Sequence, residues 1–312
     1  MRIAISVVQA VLLLLLAPLV RGVISRIKAR MQNRRGASVL RPYQELLKLF
    51  RKEDLVPATA SMVFRLVPPL VFSATLVATL FVPVLHDSAL LGMSGDFILL
   101  VAFLAISRFF LMLGGMDGGS AFGGMGASRE ALVSTLAEAP LLLGLVAVLI
   151  FTHTTSLSTA AHWELLQGFS QITAVQALAL VALAIVAIAE TGRIPVDNPT
   201  THLELTMIHE AMILEYSGPS LALLEWASAL KLTLISALLI GLFAPWGMAA
   251  GMSLVAVSIG LLAFLLKLGA IVVAIALLES GMAKLRMYLV PDFLGVAMAL
   301  GILAIFFAGM TR

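Results

Sequence analysis

Long apolar runs separated by shorter polar segments make up almost the whole chain. Eight of these runs have the length, about 18 to 25 residues, that lets a helix cross a hydrocarbon core of about 30 Å. They cover residues 3–24, 63–85, 97–114, 130–151, 170–190, 221–244, 252–278 and 289–310. The pattern predicts an all-α integral membrane protein, with one membrane domain of eight transmembrane helices over residues 1–312.

The first run is predicted to be a retained helix and not a signal peptide. One basic residue, Arg2, precedes it, and a dense basic stretch follows it. A signal peptide would end in a cleavage site of small residues, and the sequence after this run lacks one.

Basic residues are unevenly distributed among the segments between the runs. The segments after the second, fourth and sixth runs, residues 86–96, 152–169 and 245–251, contain no Lys or Arg. Because basic loops stay in the cytoplasm, the other segments are predicted to be cytoplasmic and both termini to lie outside. The basic residues of these cytoplasmic segments include Arg26, Lys28, Arg30, Arg34, Arg35, Arg41, Lys48, Arg51, Lys52, Arg193, Lys284 and Arg286.

Composition agrees with a membrane protein and excludes several classes of function. Apolar residues are 61% of the chain, charged residues are 12%, and the mean hydropathy is +1.08, which excludes a soluble enzyme. The chain has no cysteine, so it offers no disulfide, thiolate zinc site, iron–sulfur ligand or catalytic thiol. Topology accounts for the formal net charge of +3, so nucleic-acid binding is not expected.

Residues 41–52 predict a short amphipathic helix in the first cytoplasmic segment. Tyr43, Leu46, Leu47, Leu49 and Phe50 fall broadly on one side of such a helix, and basic residues flank them. The helix suits the membrane interface or a groove beneath a docked protein, although an ordinary basic juxtamembrane loop would look similar. The cytoplasmic surface predicted to dock partner proteins contains Arg26, Arg30, Arg34, Arg35, Lys48, Arg51, Lys52 and Arg193.

The glycine-rich segment 114–128 is predicted to be a compact loop that permits close backbone approach. Its glycine density is similar to that of a phosphate-binding loop, but no Lys follows a glycine pair and no strand precedes the segment. A nucleotide phosphate site is therefore excluded.

Three ionisable side chains fall near the middle of predicted spans: Glu138, Lys231 and Lys267. A charge at mid-bilayer costs about 2.5 to 3.5 kcal/mol, so such residues are expected to face the bundle interior and to mark an ion or proton path. The alternative is a structural polar pair that holds helices together.

The segment 190–218 is the richest in charged residues. It contains Glu190, Asp197, Glu204, Glu210 and Glu215, together with His202 and His209. On a continuous helix, Glu204 and Glu215 would lie on nearly the same face, and so would His202 and His209. The two histidines would be about two turns apart, which is too far for both to bind one metal ion. Clustered carboxylates at a membrane boundary raise one another's pKa and suit proton loading, although a plain acidic loop is the alternative.

Two charged segments carry a family resemblance. The string E-T-G-R-I-P-V-D at 190–197, Glu204, and E-Y-S-G at 215–218 resemble the signature loop of the H-type membrane subunit (subunit 1) of respiratory complex I. In the first cytoplasmic segment, Arg30, Arg35 with Gly36, and residues 48–54 resemble the R-x-G and K-x-F-x-K-E-D elements of that family. The resemblance covers essentially the whole chain and implies eight spans.

One part of the signature loop departs from the complex I pattern. Thr200 and His202 stand where complex I members usually carry carboxylates, and about three extra residues lie between Glu204 and Glu215. This version resembles the homologous subunit of membrane-bound group 4 nickel–iron hydrogenases, of the hydrogenase-4 and formate hydrogenlyase type.

The resemblance implies a non-catalytic subunit of an oxidoreductase complex in a prokaryotic cytoplasmic (inner) membrane. It would anchor the hydrogenase large subunit and the iron–sulfur small subunit in the cytoplasm and adjoin antiporter-like membrane subunits. Nickel–iron and iron–sulfur centres would lie in those partners, and none in this chain. The predicted proton path contains Glu130, Glu138, Glu190, Asp197, Glu204, Glu210, Glu215, Lys231 and Lys267.

Two other functions stay open at this point. One is a quinone-chamber subunit of an NADH:quinone oxidoreductase. The other is an autonomous secondary transporter, which would often show an internal repeat that this sequence lacks.

Overall fold

The computed structural model describes residues 2–86, 89, 91–92, 95–167, 173–198, 207–249 and 254–310. Helices dominate these residues, and no strand occurs among them. In chain order the α-helices are α1 Arg2–Met31, α2 Arg41–Phe50, α3 Met62–Ala78, α4 Asp96–Asp117, α5 Ala121–Phe151, α6 Leu157–Gln167, α7 Ala174–Glu190, α8 His209–Ile213, α9 Gly218–Phe243, α10 Leu254–Gly281 and α11 Val290–Met310. Short 3₁₀ helices follow α3 at Thr79–Phe81 and precede α11 at Met287–Leu289.

Within the described residues, seven helices are long and apolar enough to cross a membrane. They are α1, α3 with its 3₁₀ extension, α4, α5, α9, α10 and α11 with its preceding 3₁₀ turn. The remaining predicted span is α7, an apolar helix of 17 residues. The all-helical membrane fold is confirmed, whereas the count of eight crossings stays a prediction.

Three helical boundaries differ from the prediction. Helix α1 continues to Met31, seven residues past the predicted end of the first span, so Arg26, Lys28 and Arg30 lie on a helix and not in a loop. Lys28 and Arg30 occupy its last turn, where positive charge is favoured by the helix dipole. Helix α6 lies in the segment 152–169 that was expected to be a loop.

Most of the glycine-rich segment is helical, and only residues 118–120 connect α4 to α5, so the prediction of a loop over 114–128 is wrong. Helix α4 runs through Gly114 and Gly115, and α5 begins at Ala121. Close backbone approach explains these glycines, because a Cβ at Gly126 would lie 2.9 Å from the Ala211 Cβ. Packing against α8 thus outweighs the low helix propensity of glycine.

The segment 190–218 is not a continuous helix in its described residues, so the helix assumed for the alignment of Glu204 with Glu215 and of His202 with His209 is interrupted. Helix α7 ends at Glu190, Gly192 adopts a left-handed φ of 57°, and only the five-residue α8 precedes α9. A left-handed glycine directly after a helix is a common terminator. Glu204 and His202 lie outside the described residues.

The helices form a bundle in which α9 is central. Helix α11 packs against α5 and α7, α3 packs against α4 and α9, and α1 packs against α9 and α10. Helix α2 lies across α1 and α9, as its amphipathic pattern predicts, with the Tyr43 hydroxyl donating to the Leu15 carbonyl. Pro18 cannot donate to the Leu14 carbonyl, which instead accepts from the Trp226 indole at 3.0 Å.

Candidate functional site

Charged side chains from four helices, α4, α5, α7 and α9, meet inside the bundle. The Arg108 guanidinium on α4 pairs with the Glu190 carboxylate at the end of α7. Lys231 on α9 lies 2.9 Å from the other oxygen of Glu190, and Arg108 lies 3.8 Å from Glu138 on α5. The Glu190 side chain is 0% exposed and that of Arg108 is 5% exposed, so these charges compensate one another within the protein.

A small polar cavity adjoins these ion pairs. Its volume is about 50 Å³, which is room for a few water molecules. Ser107, Thr75 and Ser228 contribute hydroxyl groups to its wall, and the Ser107 and Thr75 oxygens lie 3.0 Å apart. The ionisable residues that line it are Arg108, Glu130, Glu190, His209 and Lys231. We call Arg108, Glu130, Glu138, Glu190 and Lys231 the inner cluster.

Charge is unequal within the inner cluster. Three carboxylates, those of Glu130, Glu138 and Glu190, accompany two cations, Arg108 and Lys231. Both cations contact Glu190, whereas the Glu138 side chain is 44% exposed and, within the described part of the chain, pairs with Arg108 at 3.8 Å. With three carboxylates and two cations, one negative charge of the inner cluster lacks a cation of its own, so the arrangement offers a place where a proton can be held.

His209 faces the same cavity from α8. Burial is the main cause that lowers its pKa to about 4; Asp197 opposes the shift, and the charges of Arg21, Lys231 and Arg193 add to it. Its Nε2 is buried without a hydrogen-bond partner among the described residues. The imidazole is therefore neutral at physiological pH.

Arg108 is the main residue of this site that sequence reasoning missed. It interrupts the apolar run 97–114, and an arginine within a membrane span is itself a sign of a functional or paired position. Of the three ionisable residues near the middle of predicted spans, two have partners in the inner cluster. Lys231 pairs with Glu190 and Glu138 contacts Arg108.

Lys267 lies apart from the inner cluster. Its ammonium donates to the Ala244 carbonyl at 2.7 Å and to the Trp246 carbonyl. These carbonyls directly follow α9, which ends at Phe243. A cation at a helix C-terminus satisfies free carbonyls and the helix dipole, which explains how this lysine is accommodated.

Asp197 holds the charged segment together. One carboxylate oxygen accepts the backbone N–H groups of Ile208 and His209 at 3.2 and 3.1 Å. The other accepts from the Asn198 N–H at 2.8 Å and lies 2.9 Å from the Lys284 ammonium. Because its oxygens are occupied, Asp197 fixes the start of α8.

A second buried carboxylate, Glu279 on α10, also escaped the sequence reasoning. It lies 2.7 Å from Lys28 on α1 and 3.2 Å from Arg193, and its side chain is 1% exposed. Arg193 was predicted to belong to an open docking surface, but its side chain is 12% exposed and is held in this network.

The remaining predicted residues lie closer to the predicted cytoplasmic side. Glu210 is buried on α8, and Glu215 is exposed next to Gly118. Seven cations of the predicted docking surface are exposed, namely Arg26, Arg30, Arg34, Arg35, Lys48, Arg51 and Lys52. Across the described part of the chain, no three His, Asp or Glu side chains are grouped to hold a metal ion.

Comparison with known proteins gives similarities that extend along nearly the whole chain. A family model described as NADH dehydrogenase matches residues 3–309. Hydrogenase-4 component C of Escherichia coli (strain K12) is 34% identical over 299 residues, which cover 96% of this chain and 93% of that protein. Formate hydrogenlyase subunit 4 of the same organism is 34% identical over 288 residues, which cover 91% of each.

A solved structure has a similar fold. It is a chain of the membrane-bound sulfane sulfur reductase, an archaeal respiratory membrane complex, with a TM-score of 0.86 and 21% identity. The match covers 99% of this chain and 100% of that chain. The bundle described above thus has the same fold as that chain.

Proposed function

Because the chain belongs to the H-type (subunit 1) family of NADH dehydrogenase membrane subunits, we propose that it anchors and couples a membrane-bound hydrogenase complex. Its two curated relatives are a hydrogenase-4 component and a formate hydrogenlyase subunit. The chain is accordingly a non-catalytic membrane subunit of the hydrogenase type, related to complex I. It docks a nickel–iron large subunit and an iron–sulfur small subunit in the cytoplasm and adjoins antiporter-like subunits of the inner membrane.

The observation that carries the coupling role is the inner cluster. In this cluster the buried carboxylate of Glu190 contacts two cations. Two further carboxylates and a cavity large enough for a few water molecules lie beside it. Electron transfer in the docked module changes the charge near the cytoplasmic end of this bundle. Such a change shifts the protonation of coupled carboxylates and so moves protons into or out of the cavity.

The proposed proton path runs from the cytoplasmic carboxylates Glu204, Glu210 and Glu215 to Glu130, Glu190 and Glu138. Lys231 belongs to the path because it lies 2.9 Å from Glu190 and can adjust to the protonation state of that carboxylate. Asp197 and Lys267 support the path as fixed structural groups, since both are engaged by backbone partners.

Replacing Glu130 tests this proposal. Glu130→Gln keeps the shape of the side chain and removes its charge, so the complex should assemble and retain hydrogenase activity with an artificial electron donor. Proton translocation into inverted membrane vesicles should fall by at least tenfold. Glu45→Gln is the matched control, because Glu45 is an exposed carboxylate on α2 in an i,i+4 pair with Arg41.

The two assays distinguish coupling from assembly. A Glu130→Gln complex that pumps at the wild-type rate would show that Glu130 is not needed for coupling. Loss of both activities together with loss of the cytoplasmic subunits would instead assign Glu130 an assembly role. Glu204→Gln and Glu215→Gln are expected to behave like Glu130→Gln, with translocation reduced more than assembly.

A further inference from the structure

A larger cavity lies between α7, α9 and α10, away from the inner cluster. Its volume is about 520 Å³, within the range of pockets that bind small organic ligands. Its wall is almost entirely aliphatic, with Leu180, Ala184 and Ile188 of α7 facing Leu239 of α9 and Ile271 and Ala274 of α10. We call this space the lateral slot.

The slot exists because α7 and α10 pack on different sides of α9. Helix α7 packs against α5, α9 and α11, whereas α10 packs against α1 and α9. Alanines at positions 184, 187, 270 and 274 line the space between them. Small side chains on both walls leave a channel that neighbouring helices do not fill.

The length of the slot matches one leaflet of a bilayer. Its lining on α7 extends from Leu180 to Thr191 and on α10 from Lys267 to Leu278, and at the helical rise each stretch spans about 16 Å. Half of a hydrocarbon core is about 15 Å. The end near Thr191, Arg193 and Leu278 is the predicted cytoplasmic end of α7 and α10, so a ligand would enter from the cytoplasmic side of the membrane.

The lining of the slot favours a hydrocarbon chain. Apart from Thr191, Arg193, Ser236 and Lys267, every side chain that lines it is apolar. An extended acyl chain placed there is removed from polar surroundings along its whole length.

The two ends of the slot differ in charge. At the cytoplasmic end, Arg193 lines the slot, and among the described residues it shares the carboxylate of Glu279 with Lys28, at 3.2 and 2.7 Å, so a cation is available there to an anionic group. At the deep end, the Lys267 ammonium is held by the Ala244 and Trp246 carbonyls. The polar group of a ligand is therefore favoured at Arg193, and its apolar part along the aliphatic wall towards Lys267.

We propose that the lateral slot binds one phospholipid of the cytoplasmic leaflet, with an acyl chain between α7 and α10 and the phosphate beside Arg193. The bound chain fills the gap between the two helices and keeps α10 in place next to the charged segment that begins at Glu190. This role is independent of whether the inner cluster carries protons.

Photo-cross-linking in the intact complex tests the site. The complex is reconstituted in nanodiscs with a phospholipid that carries a diazirine in one acyl chain, and the labelled peptides are mapped by mass spectrometry. Leu232 and Ile235 of α9 line the slot and are only 3% and 6% exposed, so a chain reaches them only by entering it. We expect label at these two positions in the wild-type complex.

Variants of the slot walls give the matched comparison. Ala184→Phe combined with Ala274→Phe places two rings inside the slot and should abolish the label at Ile235. Ala299→Phe adds a ring to an exposed face of α11 and should leave the label unchanged. Arg193→Gln should reduce the label, because the phosphate loses its cation.

Three results would overturn the proposal. They are a wild-type complex without label at Leu232 and Ile235, equal labelling in the double alanine variant, and displacement of the label by an isoprenoid quinone at low concentration. The wild-type map decides the question even if the double variant fails to assemble.

Discussion

Arg108 is stable within an apolar helix because two carboxylates surround its guanidinium. It pairs with Glu190 and lies 3.8 Å from Glu138, while its Nε is buried without a hydrogen-bond partner among the described residues. Removing one member of such a buried pair leaves an uncompensated charge and typically costs about 3 to 5 kcal/mol. The ion pairs therefore also hold α4, α5, α7 and α9 in register.

His209 predicts a pH dependence of stability. Its pKa falls from 6.5 in the unfolded chain to about 4 in the folded protein, so the unfolded state binds more protons between these values. Stability is full above about pH 6.5 and decreases as the pH falls towards 4, by about 2 kcal/mol between pH 7 and pH 5. Thermal unfolding in mild detergent should therefore show a larger loss at pH 5 in the wild type than in His209→Gln.

The exposed His153 provides the control for this experiment. His153→Asn tolerates the left-handed backbone at this position, where φ is 55°, and should keep the wild-type pH profile. Parallel profiles of wild type and His209→Gln would show that His209 is not the titrating group.

At the scale of elements, the sequence predicted the helices that are defined by the length or the periodicity of an apolar run. It did not predict the features that depend on contacts between residues distant in the chain. Helix α2 followed from its amphipathic pattern, and the long spans followed from uninterrupted apolar runs. Helix α6 did not, because its start is fixed by Asp96, which is distant in sequence and accepts the Leu157 N–H at 2.8 Å. The Arg108–Glu190 pair joins residues 82 positions apart, which no local pattern reveals.

Two neighbouring glycines of α5 test the role of close packing. A Cβ at Gly126 would lie 2.9 Å from both the Ala211 Cβ and the Ile208 carbonyl, whereas a Cβ at Gly124 would meet nothing within 4 Å. Gly126→Ala should therefore destabilise the protein by about 1 to 3 kcal/mol. Gly124→Ala should leave stability unchanged or raise it by up to about 1 kcal/mol through helix propensity.

Thermal unfolding of both variants under identical detergent conditions measures this difference. Equal melting temperatures of the two variants would mean that α8 can shift away from α5 without a loss of stability. In that case the glycine-rich segment would not be needed to position His209 beside the cavity.

At the scale of the whole molecule, the exposed cations and the charged segment are predicted to share one face of the membrane. Seven exposed basic side chains extend from Arg26 to Lys52, and Asp54 near their end accepts from the Ser220 hydroxyl at 2.6 Å on α9. This contact joins the first polar segment to the start of α9. The basic side chains of the first polar segment are predicted to dock an acidic partner.

Charge reversal on this surface tests the docking role. Arg34→Glu with Arg35→Glu should release most of the cytoplasmic module during purification in mild detergent, because both side chains are exposed and reversed charges repel an acidic partner. Arg34→Lys with Arg35→Lys preserves the charge and should retain the module. Undiminished co-purification of the module with the Glu variant would exclude this surface as the principal contact.

The number of crossings depends on α7, whose 17 residues span about 25 Å, some 5 Å less than a typical hydrocarbon core. Its last residue, Glu190, contacts two cations beside a polar cavity, so this end needs no further apolar length. Slight thinning of the bilayer can make up the remaining difference in length.

The absence of cysteine from the chain makes single-cysteine labelling unambiguous. Between the exposed residues His153 and Met282, α7, α9 and α10 make three crossings if α7 spans the membrane and two if it does not. His153→Cys should therefore react with an impermeant maleimide from outside the cell, and Met282→Cys should react only after the membrane is permeabilised. Labelling of both from outside would place α7 entirely on one side and leave seven crossings.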